Sequence, residues 1–404
     1  MQSEKRNLLF EPVTDPELIK YTHLQNGRTW RPEFLSMEDY TKREHLLGTC
    51  EISSTNKCQE MQKRFPEGSE LLGIKYFVLK DLNLPQTSKT SQIVSSCETL
   101  NRVGWAVTPG SKGAIKPVLS ACIGGVFTIP EFRAKRFGAE LITRLNEYYD
   151  GISKAPGAPE FVQNIVIFLY SEVGEYYSKF GYVSRPIPVH TVEKLDAVLE
   201  LYCGGNSDSD SASAEGRNIG FDCDEHFIEL EKQSFVKDVQ NAHSSRENAF
   251  VFTLEPSKDI FKWFHHRSLY HKKFLDPASP SRFGYALADG SHIVWHLNYW
   301  PHQRSLYILK LYLEGDTVAK KEASLKKLLA QAIQEAQEHE VKYLQFWDTE
   351  LGQQDWSKPF MKFLQKVEEP SNLYQENSSR SAIRVANVKA EDIEWRNNAK
   401  FCWF

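Results

Sequence analysis

The stretch VFTIPEFRAKRFGAELITRLNEYY, Val126–Tyr149, decides how this chain is read. It runs from a strand through a proline-tipped loop rich in Arg, Lys and Gly directly into an amphipathic helix. Upstream, Gly124 and Gly125 interrupt the apolar run Val118–Val126, as suits a strand that bulges or lets a ligand approach its backbone. Downstream, Phe137, Leu141, Ile142, Leu145 and Tyr149 recur at helical spacing, which places the loop Arg133–Ala139 at a helix N-terminus. Unpaired N–H groups and the positive end of the helix dipole attract a pyrophosphate there, and Arg133, Lys135 and Arg136 add charge. An ordinary basic strand-to-helix turn has the same composition, so the loop needs a second witness.

That witness lies just beyond. Ile165–Leu169 is an apolar run suited to a buried strand, Ser171–Lys179 reads as a helix closed by Gly181, and Tyr182–Val183 begins another strand. The order is strand, basic loop, helix, strand, helix ending in Tyr-x-x-x-Gly-aromatic, strand. These residues resemble the GNAT family of acyl-CoA-dependent N-acetyltransferases. The family's pyrophosphate signature, Arg/Gln-x-x-Gly-x-Gly/Ala, is matched by Arg133-Ala134-Lys135-Arg136-Phe137-Gly138-Ala139, except that Arg136 stands where the first glycine is expected. The later motif is matched by Tyr176-Tyr177-Ser178-Lys179-Phe180-Gly181-Tyr182. The resemblance implies acetyl-CoA as cofactor, with its pantetheine arm on the backbone of Val126, Phe127 and Thr128, Tyr170 among the further cofactor contacts, and Tyr177 meeting the sulfur as general acid.

Further segments are similar to the fungal lysine N-acetyltransferases of lysine catabolism. They include Thr22–Trp30, Leu35–Leu46, Ser96–Thr99, Leu169–Gly174, Trp295–Trp300 and Leu306–Leu311. The resemblance spans nearly the whole chain and implies free L-lysine as the acceptor.

A chain of 404 residues exceeds one ordinary core and calls for two domains. A net charge of −4 gives no general attraction to nucleic acid or anionic membranes, so local basic patches must carry any anion binding. No apolar run approaches the ~20 residues of a membrane span, and Met1–Arg6 leads into no signal-peptide core; the expectation is a cytoplasmic protein. Seven scattered cysteines without a Cys-x-x-Cys pair argue against both a disulfide framework and a zinc knuckle. His265, His266 and His271 have the right type for a metal cluster but diverge around a helix and lack accompanying carboxylates or thiols, so no metal is expected.

The expected fold is α/β: a mixed, mostly antiparallel GNAT sheet flanked by helices, followed by a second GNAT-like unit. Residues 1–200 form the acetyl-CoA-binding catalytic domain, 201–217 a flexible acidic linker poor in large apolar groups, and 218–404 the second unit. Residues 9–47 read as largely helical, 71–81 and 92–107 as a hairpin, and 118–128 as the third strand of a meander. In the second unit the corresponding turn, Leu313–Thr317, is acidic and would repel an anionic cofactor, so this unit shapes the substrate pocket.

Acetyl transfer to an amine also needs a proton acceptor. Glu98, beside the cofactor strand, is one candidate. The other is the carboxylate at Phe404, where the apolar run Phe401–Phe404 calls for docking, as the terminal carboxylate acts in the similar N-myristoyltransferases. A pocket for free lysine requires a cation, an anion and aromatic walls. Trp30, Glu38, Tyr40 and Arg43 from the N-terminal helices, with Asn298 and Trp300 from the second unit, are the candidates. An acetyltransferase acting on protein or peptide amines and a non-catalytic acyl-CoA sensor are the alternatives.

Overall fold

The computed structural model describes residues 6–204, 216–275, 282–300 and 303–404. Two mixed sheets carry the fold. The first contains β1 (Leu8–Val13), β2 (Gly73–Asp81), β3 (Ile93–Val107), β4 (Lys116–Thr128), β5 (Val166–Ser171) and β6 (Val183–Ser184). The second contains β7 (Val189–Val192), β8 (Gly216–Ile219), β10 (Gly284–Leu287), β11 (His292–Asn298), β12 (Ser305–Tyr312) and β13 (Tyr343–Trp347). Three strands from the C-terminal half, β9 (Phe250–Leu254), β14 (Arg380–Val385) and β15 (Ile393–Trp395), join the first sheet instead.

The first sheet runs β1-β2-β3-β4-β5-β14-β6, with β9 added to β3 and β15 to β9, and the second runs β7-β13-β12-β11-β10-β8. The two sheets therefore do not part cleanly at residue 200. β7 crosses forward to pair with β13, and β14 crosses back between β5 and β6. β14 joins the first sheet rather than the second unit's own, with its apolar residues Ala382 and Ile383 opposite Leu169 and Phe168.

The helix Phe137–Ser153 buries Phe137, Leu141, Ile142, Leu145 and Tyr149, the stripe visible in the sequence, against β3 and β4. The helix Val318–Glu338 does the same for the second sheet through Leu325, Leu328, Leu329 and Ile333. Between the halves, Leu100 and Phe168 from the first sheet share one core with Ile219, Val294 and Leu309 from the second and Phe261 and Phe264 of the helix Lys258–Lys272. Each buried Phe or Leu contributes about 1.5–3 kcal/mol, so the two halves are held as one body.

Local readings change in four places. Leu8–Val13 is strand β1 rather than helix, its register on β2 running from Leu8–Asp81 to Val13–Tyr76. The two N-terminal helices begin later, at Pro16–Trp30 and Met37–Thr49, with Asp15 and Ser36 as N-caps. Ser171–Lys179 condenses to a single short turn, Tyr176–Phe180, closed by Gly181 in the left-handed conformation. Of the expected linker, Gly216 and Arg217 lie in β8, and residues 205–215 fall outside the described residues.

Candidate active site

Two irregularities in β4 create the site. On one side, β4 pairs in parallel with β5 only from Ser120–Val166 to Ile123–Leu169, so the backbone from Gly124 to Thr128 has no strand partner there. On the other side Ser96 faces Phe127 while Glu98 faces Gly124, so β4 carries one extra residue. Gly125, at φ +56°, absorbs this bulge, and a Cβ there would sit 3.1 Å from Asn26 Nδ2 and 3.4 Å from Glu98 Cγ. The bulge thus turns β4 away from β5 and presses Asn26 and Glu98 against the gap.

Beyond β4, the basic loop leads into the helix Phe137–Ser153 with two residues at positive φ, Ala134 at 61° and Arg136 at 64°. Arg136 is the N-cap and makes no side-chain capping bond. It therefore takes the left-handed conformation a glycine would supply, while its exposed side chain leaves the N–H groups open. Holding non-glycine residues there costs on the order of 1–2 kcal/mol each, strain that is typical of functional loops. Gly138 lets the helix approach β4 closely, since a Cβ would meet Thr128 Oγ1 at 3.1 Å. A cavity of about 630 Å³ lies over this loop, lined by Arg133, Ala134, Arg136, Phe137, Gly138 and Ala139 together with Lys179. Free N–H groups, a helix dipole and cationic side chains suit a pyrophosphate.

Thr128, Gly138 and Tyr176 also line a larger cavity of about 1090 Å³, which runs from the β4 gap to the second sheet. Val126, Tyr177, Glu98 and Phe404 all border it. The Tyr177 side chain is largely buried among Tyr176 and Tyr182, and that burial, reinforced by Cys97, raises its phenol above the ordinary value. Glu98 Oε2 lies 3.8 Å from His23 Nε2. The Phe404 ring lies against Gly124, where a Cβ would approach it to 2.9 Å. Buried Arg102 anchors this segment by donating to the carbonyls of Phe401 and Cys402.

The substrate candidates divide. Trp30, Tyr40, Arg43, Asn298 and Trp300 all line the larger cavity. Trp30 Nε1 donates to Glu172 Oε2 at 3.1 Å. Arg43 is already engaged: it pairs with Glu44, donates to His271 Nε2 at 2.9 Å and lies over Tyr40 at 4.5 Å. Burial opposes ionisation of Glu44, but Arg43 and His23 outweigh it and hold this carboxyl below its usual value. His271 is kept neutral first by burial and then by Arg43 and Arg267. Glu38 does not line the cavity; it sits on the exposed face of its helix, 2.8 Å from Lys42 Nζ. Lys135 does not line the loop cavity and lies over Phe132 at 5.5 Å, and Phe127 is buried with its carbonyl accepting from Ser95 Oγ at 2.8 Å. Tyr170 borders the larger cavity rather than the phosphate loop, and its hydroxyl donates to Asn398 Oδ1 at 3.0 Å.

Several lining residues escaped the sequence reading. Arg267 comes from the helix Lys258–Lys272 and lies over Trp403 at 5.2 Å and Trp263 at 5.8 Å. Lys400 sits 3.8 Å above the Trp403 ring and 5.2 Å from that of Tyr307. Burial, with help from Arg267 and against the pull of Glu172, lowers the Lys400 ammonium to about 7. Burial and Arg43 likewise lower Arg267 to about 10, with Glu44 opposing. Lys400 stands directly before the apolar Phe401–Phe404 run, and that run was the available signal. As for a metal centre, His265 Nε2 pairs with the Trp295 carbonyl at 3.0 Å, and no group of three or more His, Cys, Asp or Glu among the described residues is placed to hold an ion.

A bulged strand splayed from its parallel neighbour, an anion-binding helix N-terminus and a tyrosine at the gap define an acetyltransferase of the GNAT type. The model for the LYC1 GNAT-like C-terminal domain matches residues 206–404. An uncharacterized protein of Saccharomyces cerevisiae is 43% identical across all of this chain and 99% of its own length. A lysine acetyltransferase of Yarrowia lipolytica is 23% identical over 74% of this chain and 75% of its own. Among solved structures, a GCN5-related N-acetyltransferase from Kribbella flavida aligns with a TM-score of 0.48 at 15% identity, covering 94% of this chain and 71% of that one. A tandem GNAT protein from the clavulanic acid biosynthesis pathway aligns at 0.45 and 9% identity, covering 95% and 100%. The chain is a GNAT-type acetyltransferase whose residues 206–404 form a LYC1-type GNAT-like domain, and its acetyl donor is acetyl-CoA.

Proposed function

We propose that the chain acetylates the side-chain amine of free L-lysine, giving N6-acetyl-L-lysine as the first step of lysine breakdown. The observation that carries this reading is the larger cavity. It opens from the β4 gap into a chamber walled by both sheets, with Glu98 and Asn26 at the bulge, Arg267 and Lys400 within the chamber and Trp30, Tyr40 and Trp300 along its sides. A long apolar stem with a charged group at each end matches that arrangement. The lysine acetyltransferase relative supports it.

The residues have a division of labour. The loop Arg133–Ala139 holds the pyrophosphate of acetyl-CoA, and the open backbone at Val126 beside the bulge holds the pantetheine arm and polarises the thioester carbonyl. Glu98 takes a proton from the substrate ammonium, directly or through water; the free amine attacks the carbonyl carbon, forming C–N and breaking C–S. Tyr177, kept protonated by burial, supplies the proton that leaves CoA as the thiol, and the second proton that the nitrogen sheds on becoming an amide returns to Tyr177 through water. Alignment in the chamber contributes much of the acceleration. The Phe404 ring against Gly124 closes the gap opposite the cofactor loop.

The test offers L-lysine, L-ornithine, spermidine and a histone-tail peptide in turn with acetyl-CoA and measures release of free CoA thiol. Turnover with lysine well above the other three is expected. Turnover of the peptide alone would overturn the free-lysine reading, and silence with all four despite acetyl-CoA binding would make the chain a sensor.

A further inference from the structure

The cavity is electrically polarised in a way that acetyl transfer alone does not require. At the bulge, buried Asn26 leaves its Oδ1 without a hydrogen-bond partner among the described residues, beside Glu98. Around Trp403 the opposite holds. Arg267 and Lys400 contact the aromatic faces of Trp403, Trp263 and Tyr307, but neither side chain makes a hydrogen bond or an ion pair with a described residue. The carboxylate that could answer Arg267 is committed elsewhere, since Glu44 pairs with Arg43, and Glu172 accepts from Trp30. Beside them, His296 is 6% exposed, held neutral by burial and by Lys400 and Arg267, and its Nε2 has no hydrogen-bond partner among the described residues.

Two unanswered cations and an orphaned ring nitrogen in a desolvated, aromatic-walled chamber are costly unless an anion completes them. We propose that Arg267, Lys400 and His296 form a subsite for the α-carboxylate of an amino-acid substrate. This deepens the lysine reading and rests on it for the identity of the amine at the other pole. A carboxylate here accepts from the guanidinium and the ammonium, with His296 donating from Nε2 in the matching tautomer. The aromatic walls exclude water from the contact. The subsite thereby selects free amino acids over polyamines and over side chains within a peptide, which lack that carboxylate.

The experiment uses the full chain saturated with CoA and titrates in L-norleucine, which keeps the carboxylate and stem but lacks the side-chain amine, against L-norleucinamide. Calorimetry should find norleucine bound tighter by roughly tenfold to a hundredfold, the worth of a charge-assisted hydrogen bond. In Arg267→Gln and Lys400→Met that preference should collapse toward one. Equal affinities in the unmodified protein, or no binding of norleucine, would overturn the subsite without reliance on any variant. Norleucine selectivity without CoA release from lysine would leave the subsite standing and remove the lysine reading. CoA release from lysine without carboxylate selectivity would do the reverse.

Discussion

Tyr177→Phe separates chemistry from architecture. The Tyr177 ring is 8% exposed and packs near Tyr176 and Tyr182, at centroid distances of 5.3 and 6.0 Å. Its hydroxyl, however, makes no hydrogen bond with a described residue, and the side chain borders the cavity. Phenylalanine keeps the ring contacts and leaves no protein group unsatisfied, so unfolding stability should change by no more than about 0.5 kcal/mol. Burial raises the phenol, which therefore stays protonated through the neutral range and can donate to a departing thiolate. Loss of a general acid lowers kcat by roughly 10²–10⁴, about 2.7–5.5 kcal/mol in the barrier. The assays are urea unfolding, equilibrium binding of acetyl-CoA and the maximal rate of CoA thiol release. A large fall in kcat with stability and acetyl-CoA affinity nearly constant is expected. An unchanged kcat would refute the general-acid role, and a loss of stability matching the loss of rate would make the residue structural.

Four other substitutions probe the remaining parts. Arg133→Ala removes a cation from the loop cavity and should raise KM for acetyl-CoA severalfold with a smaller effect on kcat; unchanged affinity would contradict the pyrophosphate cradle. Glu98→Gln should lower kcat by roughly 10²–10⁴, and an unchanged kcat would reject Glu98 as the base. Lys400, lowered to about 7 with Arg267 and Glu172 as its charged neighbours, is cationic at pH 6 and largely neutral at pH 8. KM for the amino acid should therefore rise between these values, and Lys400→Arg, which stays charged, should weaken that rise; identical profiles would exclude Lys400. Gly125→Ala imposes a side chain at φ +56° and 3.1 Å from Asn26 Nδ2, so it should cost about 1–2 kcal/mol in urea unfolding and reduce kcat; a neutral result would mean the bulge relaxes freely.

The cofactor half was legible because its physics is local. Two glycines before a basic turn, an apolar stripe at helical spacing and a tyrosine before Gly181 all act within a few residues of one another, and the bulge, the helix and the gap follow from them. Arg136 was legible as a departure where a glycine is expected, and its φ of 64° shows that it takes a glycine's conformation as well. The strand exchange was hidden because β7, β9, β14 and β15 have ordinary apolar patterns, and their choice of sheet depends on edges formed more than a hundred residues away. Sequence separation likewise concealed Arg267 and Lys400, which meet over the Trp403 ring. Glu38 and Arg43 share a helix but face opposite ways, Glu38 to Lys42 at the surface and Arg43 to His271 inside.

The most direct test of the central claim is the identity of the product. Purified protein is incubated with acetyl-CoA and L-lysine, and the acetylated amino acid is assigned by NMR. The account predicts N6-acetyl-L-lysine, formed in proportion to released CoA and abolished by Tyr177→Phe together with Glu98→Gln. Acetylation at the α-amine, or CoA release without acetyl-lysine, would contradict it.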